Sequence, residues 1–279
     1  MLGLVKPVAV GIWGDAKAAA HALIARLQGR PLAAQANRTQ RLAEIQEEKA
    51  SWESELAEWT YERDAWSLMA MEDSRWLHPR QVLRELEQAM PEEVMLATDI
   101  GNICAVANSY LRFNRPRSLF AAMSFGNCGY AFPTLIGAKV AAPDRPAIAY
   151  VGDGAWGMSF GELQTCVREP IPVTVVVFNN GQWGGEKKNQ VDFYSNRFIG
   201  VNLEKQPNWA AVARAMGAEG STIDTLSQVG PALRAANEAQ REGKTTLLEI
   251  MVTPELGDPF RRDALSKPVR LLDKYKDFN

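Results

Sequence analysis

Beyond residue 78 the chain alternates between short apolar runs and longer stretches whose apolar residues recur at helical spacing. Strands are expected near 94–99, 118–123, 147–151, 173–178 and 246–252, each almost continuously apolar. Helices are expected near 79–90, 103–112, 133–142, 159–169, 208–217 and 229–241. Strands without polar alternation must be buried on both faces, and helices between them supply the cover. The predicted fold class is therefore α/β, a doubly wound parallel sheet spanning residues 76–255.

The first part of the chain follows another pattern. Val8-Ala9-Val10-Gly11-Ile12 reads as a strand, and Asp15 as the N-cap of a helix running through Ala16 to Leu27. A lone strand and helix cannot bury their own apolar face, so residues 1–36 are expected to be the remnant of a preceding domain. Residues 37–75 are expected to form a helical linker. Leu42, Ile45, Trp52, Leu56, Trp59, Trp66 and Met69 share one of its faces. That stripe suits a coiled-coil or partner-binding helix, or a connecting helix packed on the domain that follows. The second is the simpler expectation, because two heptads make a weak coiled-coil signal. Residues 256–279 read as a tail or lid.

Composition narrows the classes. Of 279 residues 46% are hydrophobic and 23% charged, enough for a sizeable core. A net charge of −2 offers no basic field, so neither nucleic acid nor an acidic membrane is an expected partner. Cys104, Cys128 and Cys166 form no C-x-x-C pair, and no apolar run approaches a membrane span. A cytoplasmic setting is expected. With only His21 and His78, a His-rich metal site is excluded within the chain.

The candidate chemistry lies in Gly152-Asp153-Gly154 and Asn179-Asn180. Each ends or follows a predicted apolar strand, and a predicted helix lies between them. The pattern brings a carboxylate and an amide to the carboxyl edge of a parallel sheet, where such folds bind ligands. Glycines let the backbone approach a ligand closely, and a helix expected to start near Met158 would direct free N–H groups at a phosphate. A diphosphate carries more charge than one helix end neutralises, so a magnesium ion is expected. Asp153 supplies a carboxylate, Asn180 an amide oxygen and Gln182 its backbone carbonyl.

This constellation resembles the signature of the thiamine-diphosphate-dependent enzymes. Thr98-Asp99-Ile100-Gly101-Asn102 is similar to their segment touching the diphosphate from a neighbouring loop. Gly126-Asn127-Cys128-Gly129-Tyr130-Ala131-Phe132-Pro133, with Ile136-Gly137-Ala138, is similar to the stretch lining the cofactor rings. The resemblance implies thiamine diphosphate and Mg2+ as cofactors, held in the family's diphosphate-binding domain. It carries cofactor contacts onto Ile100, Gly101 and Asn102, and onto Gly126, Asn127 and Cys128. It also carries them onto Gly152, Asp153, Gly154 and Ala155, and onto Asn180, Gln182, Trp183 and Gly184. Cys128 departs from the pattern, standing where the family usually has a bulkier apolar residue.

Within the family, residues 98–113, 152–159, 182–194 and 258–270 resemble an acyl-transferring branch. That branch converts sulfoacetaldehyde and phosphate to acetyl phosphate and sulfite. The run Q-W-G-G-E-K-K-N-Q-V-D-F-Y is the most specific, because cofactor binding does not demand it. Such substrates need cations, which points to Lys187, Lys188, Arg261 and Arg262; solvated surface charge is the plainer reading of each. The resemblance places the activating glutamate on a pyrimidine-binding domain absent from this sequence, and Glu162 does not stand in for it. A homo-oligomer or a second protein carrying that domain is the implied partner. Branches making acetolactate or decarboxylating sulfopyruvate, and a non-catalytic module of the same fold, remain the alternatives.

Overall fold

The structure, a computed structural model, describes residues 7–30, 35–61, 76–123, 125–203, 205 and 207–254. The stripe residues Trp66 and Met69, and the expected tail with Arg261 and Arg262, lie outside them. The chain divides into two compact units, Met1–Glu55 with Arg261–Asn279, and Leu56–Phe260.

In the first unit α1 (Ala16–Leu27) is capped as expected, the Ala18 N–H donating to the Asp15 carboxylate at 2.8 Å. The strand expected at residues 8–12 is not formed; the stretch is irregular and exposed. A strand holds only by pairing, and no strand among the described residues of this unit offers it an edge. α2 (Gln35–Tyr61) carries the stripe residues from Leu42 to Trp59 on one helix. Leu42 remains exposed, whereas Leu56 and Trp59, which fall in the second unit, are buried there. Arg80 stacks 5.3 Å from the Trp59 ring centre, and Thr60 shares a 3.0 Å hydrogen bond with the Tyr110 hydroxyl.

The second unit is built on six strands: β1 (Met95–Thr98), β2 (Leu119–Ala121), β3 (Ala147–Gly152), β4 (Thr174–Asn179), β5 (Glu219–Ile223) and β6 (Thr246–Met251). They pair in the order β2-β1-β3-β4-β6-β5, and every pairing is parallel. The connecting helices are α3 (Pro79–Ala89), α4 (Asn102–Ala107), α5 (Ala131–Ala141), α6 (Asp153–Trp156), α7 (Leu163–Arg168), α8 (Gly184–Phe193), α9 (Trp209–Ala215) and α10 (Leu226–Arg241). Ala149, Val151, Val175 and Val177 meet Phe132, Leu135, Trp156 and Ala213 in one core. The alternate residues Ile148, Tyr150, Val176 and Phe178 are equally buried. Burial on both faces explains why these strands read as unbroken apolar runs.

Four differences from the expected pattern have local causes. The helix expected over 103–112 stops at Ala107, where a run of poor helix formers begins at Asn108. The helix expected over 159–169 opens with a 3-10 turn (Phe160–Glu162) around Gly161 before α7, and a separate short helix, α6, precedes it, ended by Gly157. The helical N–H groups after β3 therefore start at Asp153, not near Met158. β5 was not expected, since E-G-S-T-I is a polar edge strand whose register follows β6. α8 was not expected either, because it opens on two glycines and lacks an apolar stripe.

A buried amide ties α10 to the amino ends of two strands. Gln240 donates to the Ala147 carbonyl at 3.0 Å and to Thr174 Oγ1 at 2.7 Å, and accepts from the Ala147 N–H at 3.0 Å. Gln240→Leu leaves the Ala147 N–H without its partner in the core. The substitution is expected to lower the unfolding free energy by about 1–3 kcal/mol, measured as a fall in the urea midpoint.

Candidate functional site

β3 and β4 are neighbours with Gly152 in register with Phe178, so the G-D-G turn and the Asn pair leave the sheet side by side. Asp153 is buried, with 1% of its surface exposed. One carboxylate oxygen accepts from the Gly154 N–H at 2.9 Å and the other from the Gly181 N–H at 2.8 Å. The second bond spans the two strand ends and sets the carboxylate beside the backbone of Asn180. The two asparagines have separate tasks. Asn179 donates from Nδ2 to Glu249 at 2.9 Å, whereas the buried Asn180 side chain has no hydrogen-bond partner among the described residues.

Glu249, which the sequence reading missed, is 1% exposed. It also accepts from the N–H groups of Trp209 and Ala210 at 3.2 Å and from Thr222 Oγ1 at 3.1 Å. A charge is tolerable at that depth only with such a set of donors. An acidic residue inside the apolar run Leu247-Leu248-Glu249-Ile250 was the available signal.

Asp99 performs a comparable task one strand away. Its carboxylate accepts from the N–H groups of Ile100 at 2.9 Å, Gly129 at 3.1 Å and Ala131 at 3.0 Å. It thereby joins the loop after β1 to residues 126–131. Burial pushes its pKa up, and the backbone donors pull against that. Gly101, at φ 141°, adopts a conformation that needs glycine where α4 begins. Loop 126–130 touches residues 158–159, since a Cβ on Gly129 would lie 3.3 Å from that of Met158. The turn into α8 touches α4, since a Cβ on Gly185 would lie 3.7 Å from the Asn102 N. Four loops, 99–102, 126–130, 152–155 and 180–185, thus gather at the carboxyl ends of β1, β3 and β4. Successive connections change direction between β1 and β3, the kind of crevice in which open α/β sheets bind ligands.

The Gln182 side chain is committed, donating to the Pro254 carbonyl at 2.9 Å and accepting from Lys187 Nζ at 2.9 Å. A ligand role for Gln182 falls to its backbone carbonyl. Among the described residues no group of three or more His, Cys, Asp or Glu gathers that could hold a metal. One carboxylate, one unpaired amide and one carbonyl fit magnesium shared with phosphate oxygens rather than a zinc cage. The residues present therefore fit a magnesium diphosphate.

The expected substrate cations fare differently. Lys187 donates to Gln182 and, at 3.0 Å, to Asn202 Oδ1, and burial pushes its pKa down. Lys188 pairs with Asp192 at 3.2 Å. Cys128 is half-buried, and burial with the Asp99 and Glu186 carboxylates pushes its thiol pKa up, disfavouring the thiolate.

Gly154 is required by close approach, for an added Cβ would lie 2.9 Å from the Trp183 ring. Gly154→Ala is expected to cost about 1–3 kcal/mol by overpacking. Combined with Trp183→Ala, the penalty should be smaller than the sum of the single changes, as read by a double-mutant cycle in urea.

Residues 99–250 match the family model described as thiamine pyrophosphate enzyme, C-terminal TPP binding domain. The chain is 64% identical to a sulfoacetaldehyde acetyltransferase of Castellaniella defragrans, over 100% of its own length and 47% of the relative's. It is 62% identical to one of Alcaligenes xylosoxydans xylosoxydans, over 99% and 47%. It thus spans about half the length of the curated relatives it matches. Among solved structures, the thiamine diphosphate-dependent 4-hydroxybenzoylformate decarboxylase of Rhodococcus jostii RHA1 shares the fold. The TM-score is 0.60 and the identity 21%, over 66% of this chain and 34% of that one. The gathered loops, the Asp153 bridge and a matching model that covers more than half the sequence lead to one assignment: this chain belongs to the thiamine pyrophosphate enzymes, as their C-terminal TPP-binding domain.

Proposed function

We propose that the chain is the diphosphate-holding part of a thiamine-diphosphate-dependent acyltransferase. It converts sulfoacetaldehyde and phosphate to acetyl phosphate and sulfite once a pyrimidine-binding domain completes the site. The observation that carries the cofactor role is the buried Asp153 carboxylate bridging the ends of β3 and β4. High identity to two sulfoacetaldehyde acetyltransferases along nearly the whole chain supports the substrate.

When bound, thiamine diphosphate supplies a carbanion that adds to a carbonyl carbon. In this reading Asp153, Asn180 and the Gln182 carbonyl hold the magnesium, and the loops starting at Ile100 and Gly126 line the cofactor. Trp183, packed on Gly154, keeps water from the diphosphate side. Asp99 holds the two lining loops at a fixed distance from each other through its three N–H donors. The pyrimidine-binding domain that completes the site belongs to a second copy of the enzyme or to a separate protein. A cytoplasmic setting agrees with three free cysteines, and no helix among the described residues is long and apolar enough to cross a membrane.

Two measurements test the proposal. Calorimetry should detect magnesium-dependent uptake of thiamine diphosphate, and Asp153→Ala or Asn180→Ala should abolish it. The completed enzyme should release sulfite and acetyl phosphate in equal amounts from sulfoacetaldehyde and phosphate. Carbon dioxide release from a 2-oxo acid instead would move the chain to acetolactate synthase or sulfopyruvate decarboxylase chemistry. Cofactor uptake with no turnover of either kind would mark a non-catalytic module.

A further inference from the structure

We infer that Lys187 is a positioning residue: its ammonium clamps the loop that presents the Gln182 carbonyl and does not bind a substrate oxyanion. The inference rests on the magnesium site proposed above. Lys187 lies in the first turns of α8, its own N–H donating to the Trp183 carbonyl at 2.9 Å. From there its side chain folds back onto the segment that precedes the helix. Nζ donates to Gln182 Oε1 at 2.9 Å and to Asn202 Oδ1 at 3.0 Å, and lies 5.3 Å from the centre of the Phe198 ring.

Gln182 and Asn202 face each other across an isolated antiparallel bridge. Only two backbone bonds close it, Trp183 N–H to Val201 O at 2.8 Å and Leu203 N–H to Gly181 O at 2.7 Å. One ammonium thus joins the side chains on the two sides of that bridge, while the other end of the Gln182 amide is held by Pro254. An ammonium has three donors and no acceptor. Two are spent on amide oxygens, and an aromatic face takes up a further side of the charge. Little remains for a sulfonate or phosphate.

The clamp also accounts for part of the run W-G-G-E-K-K-N-Q. Two glycines allow the chain to turn into the helix against α4, and a lysine one turn later reaches the glutamine that precedes the tryptophan. Residues that orient a metal ligand commonly change metal affinity by about 10–100-fold when removed.

The test compares the wild-type chain with Lys187→Met and Asn202→Ala. In metal-free protein, amide hydrogen exchange at Trp183 and Leu203 should accelerate in both variants, while exchange within β3 and β4 stays unchanged. With thiamine diphosphate present, magnesium affinity by calorimetry should fall by about tenfold or more, and the KM for sulfoacetaldehyde and phosphate in the completed enzyme should stay within about twofold at saturating magnesium. Wild-type exchange rates in both variants would overturn the clamp. A rise in substrate KM with magnesium affinity intact would also overturn it and return Lys187 to the substrate site. If the wild-type chain takes up no magnesium with the cofactor, the proposed site fails, and the exchange comparison still decides whether the lysine holds the loop.

Discussion

The bond from the Gly181 N–H to the Asp153 carboxylate is the contact on which the site's geometry turns. It joins the segments just beyond two paired strand ends, and it does so with a charged acceptor inside the protein. A buried carboxylate without donors is so costly that the turn must close around it. Two N–H groups at 2.8 and 2.9 Å supply that closure. The G-D-G turn and the Asn pair then have one arrangement relative to each other before any ligand arrives, which lowers the cost of ordering them on binding.

The same device recurs along the edge of the sheet. Asp99 gathers the N–H groups of Ile100, Gly129 and Ala131, and Glu249 gathers those of Trp209 and Ala210 with two side chains. Loops in this position cannot use sheet or helix ladders to satisfy their N–H groups, and a carboxylate accepts several of them at once. Glu249 explains why the first asparagine of the pair is turned away from the candidate metal site. Its amide belongs to the network that seats α9, so the second asparagine alone is left to face a ligand.

The four gathered loops and the segment that follows β4 are anchored differently. The loops sit directly on β1, β3 and β4, where register fixes them to within a residue. The segment from Gly184 to Leu203 follows β4 as a helix and a strap, held by one isolated bridge and side-chain bonds. Sequence change is more easily accommodated there, because it does not disturb the ladder beneath.

Much of this was legible in the residues. The strands beginning at Met95, Ala147, Thr174 and Thr246 are readable because burial on both faces leaves an apolar run with no other use, and the partly exposed edge strand at Leu119 is readable from its short apolar run alone. Asp153 and Asn180 are readable because glycine and amide signals stand at the ends of two such runs. The strand expected at Val8–Ile12 was misread, since apolarity without a pairing edge makes no strand. β5 was invisible for the opposite reason, its polar residues being held in register by β6 alone. The hydrogen bonds of Asp99, Glu249 and Lys187 were likewise visible only in three dimensions. A hydrogen bond between residues distant in the chain leaves no periodicity to read, and a carboxylate or ammonium looks the same in sequence whether it faces water, a ligand or the backbone of its own protein.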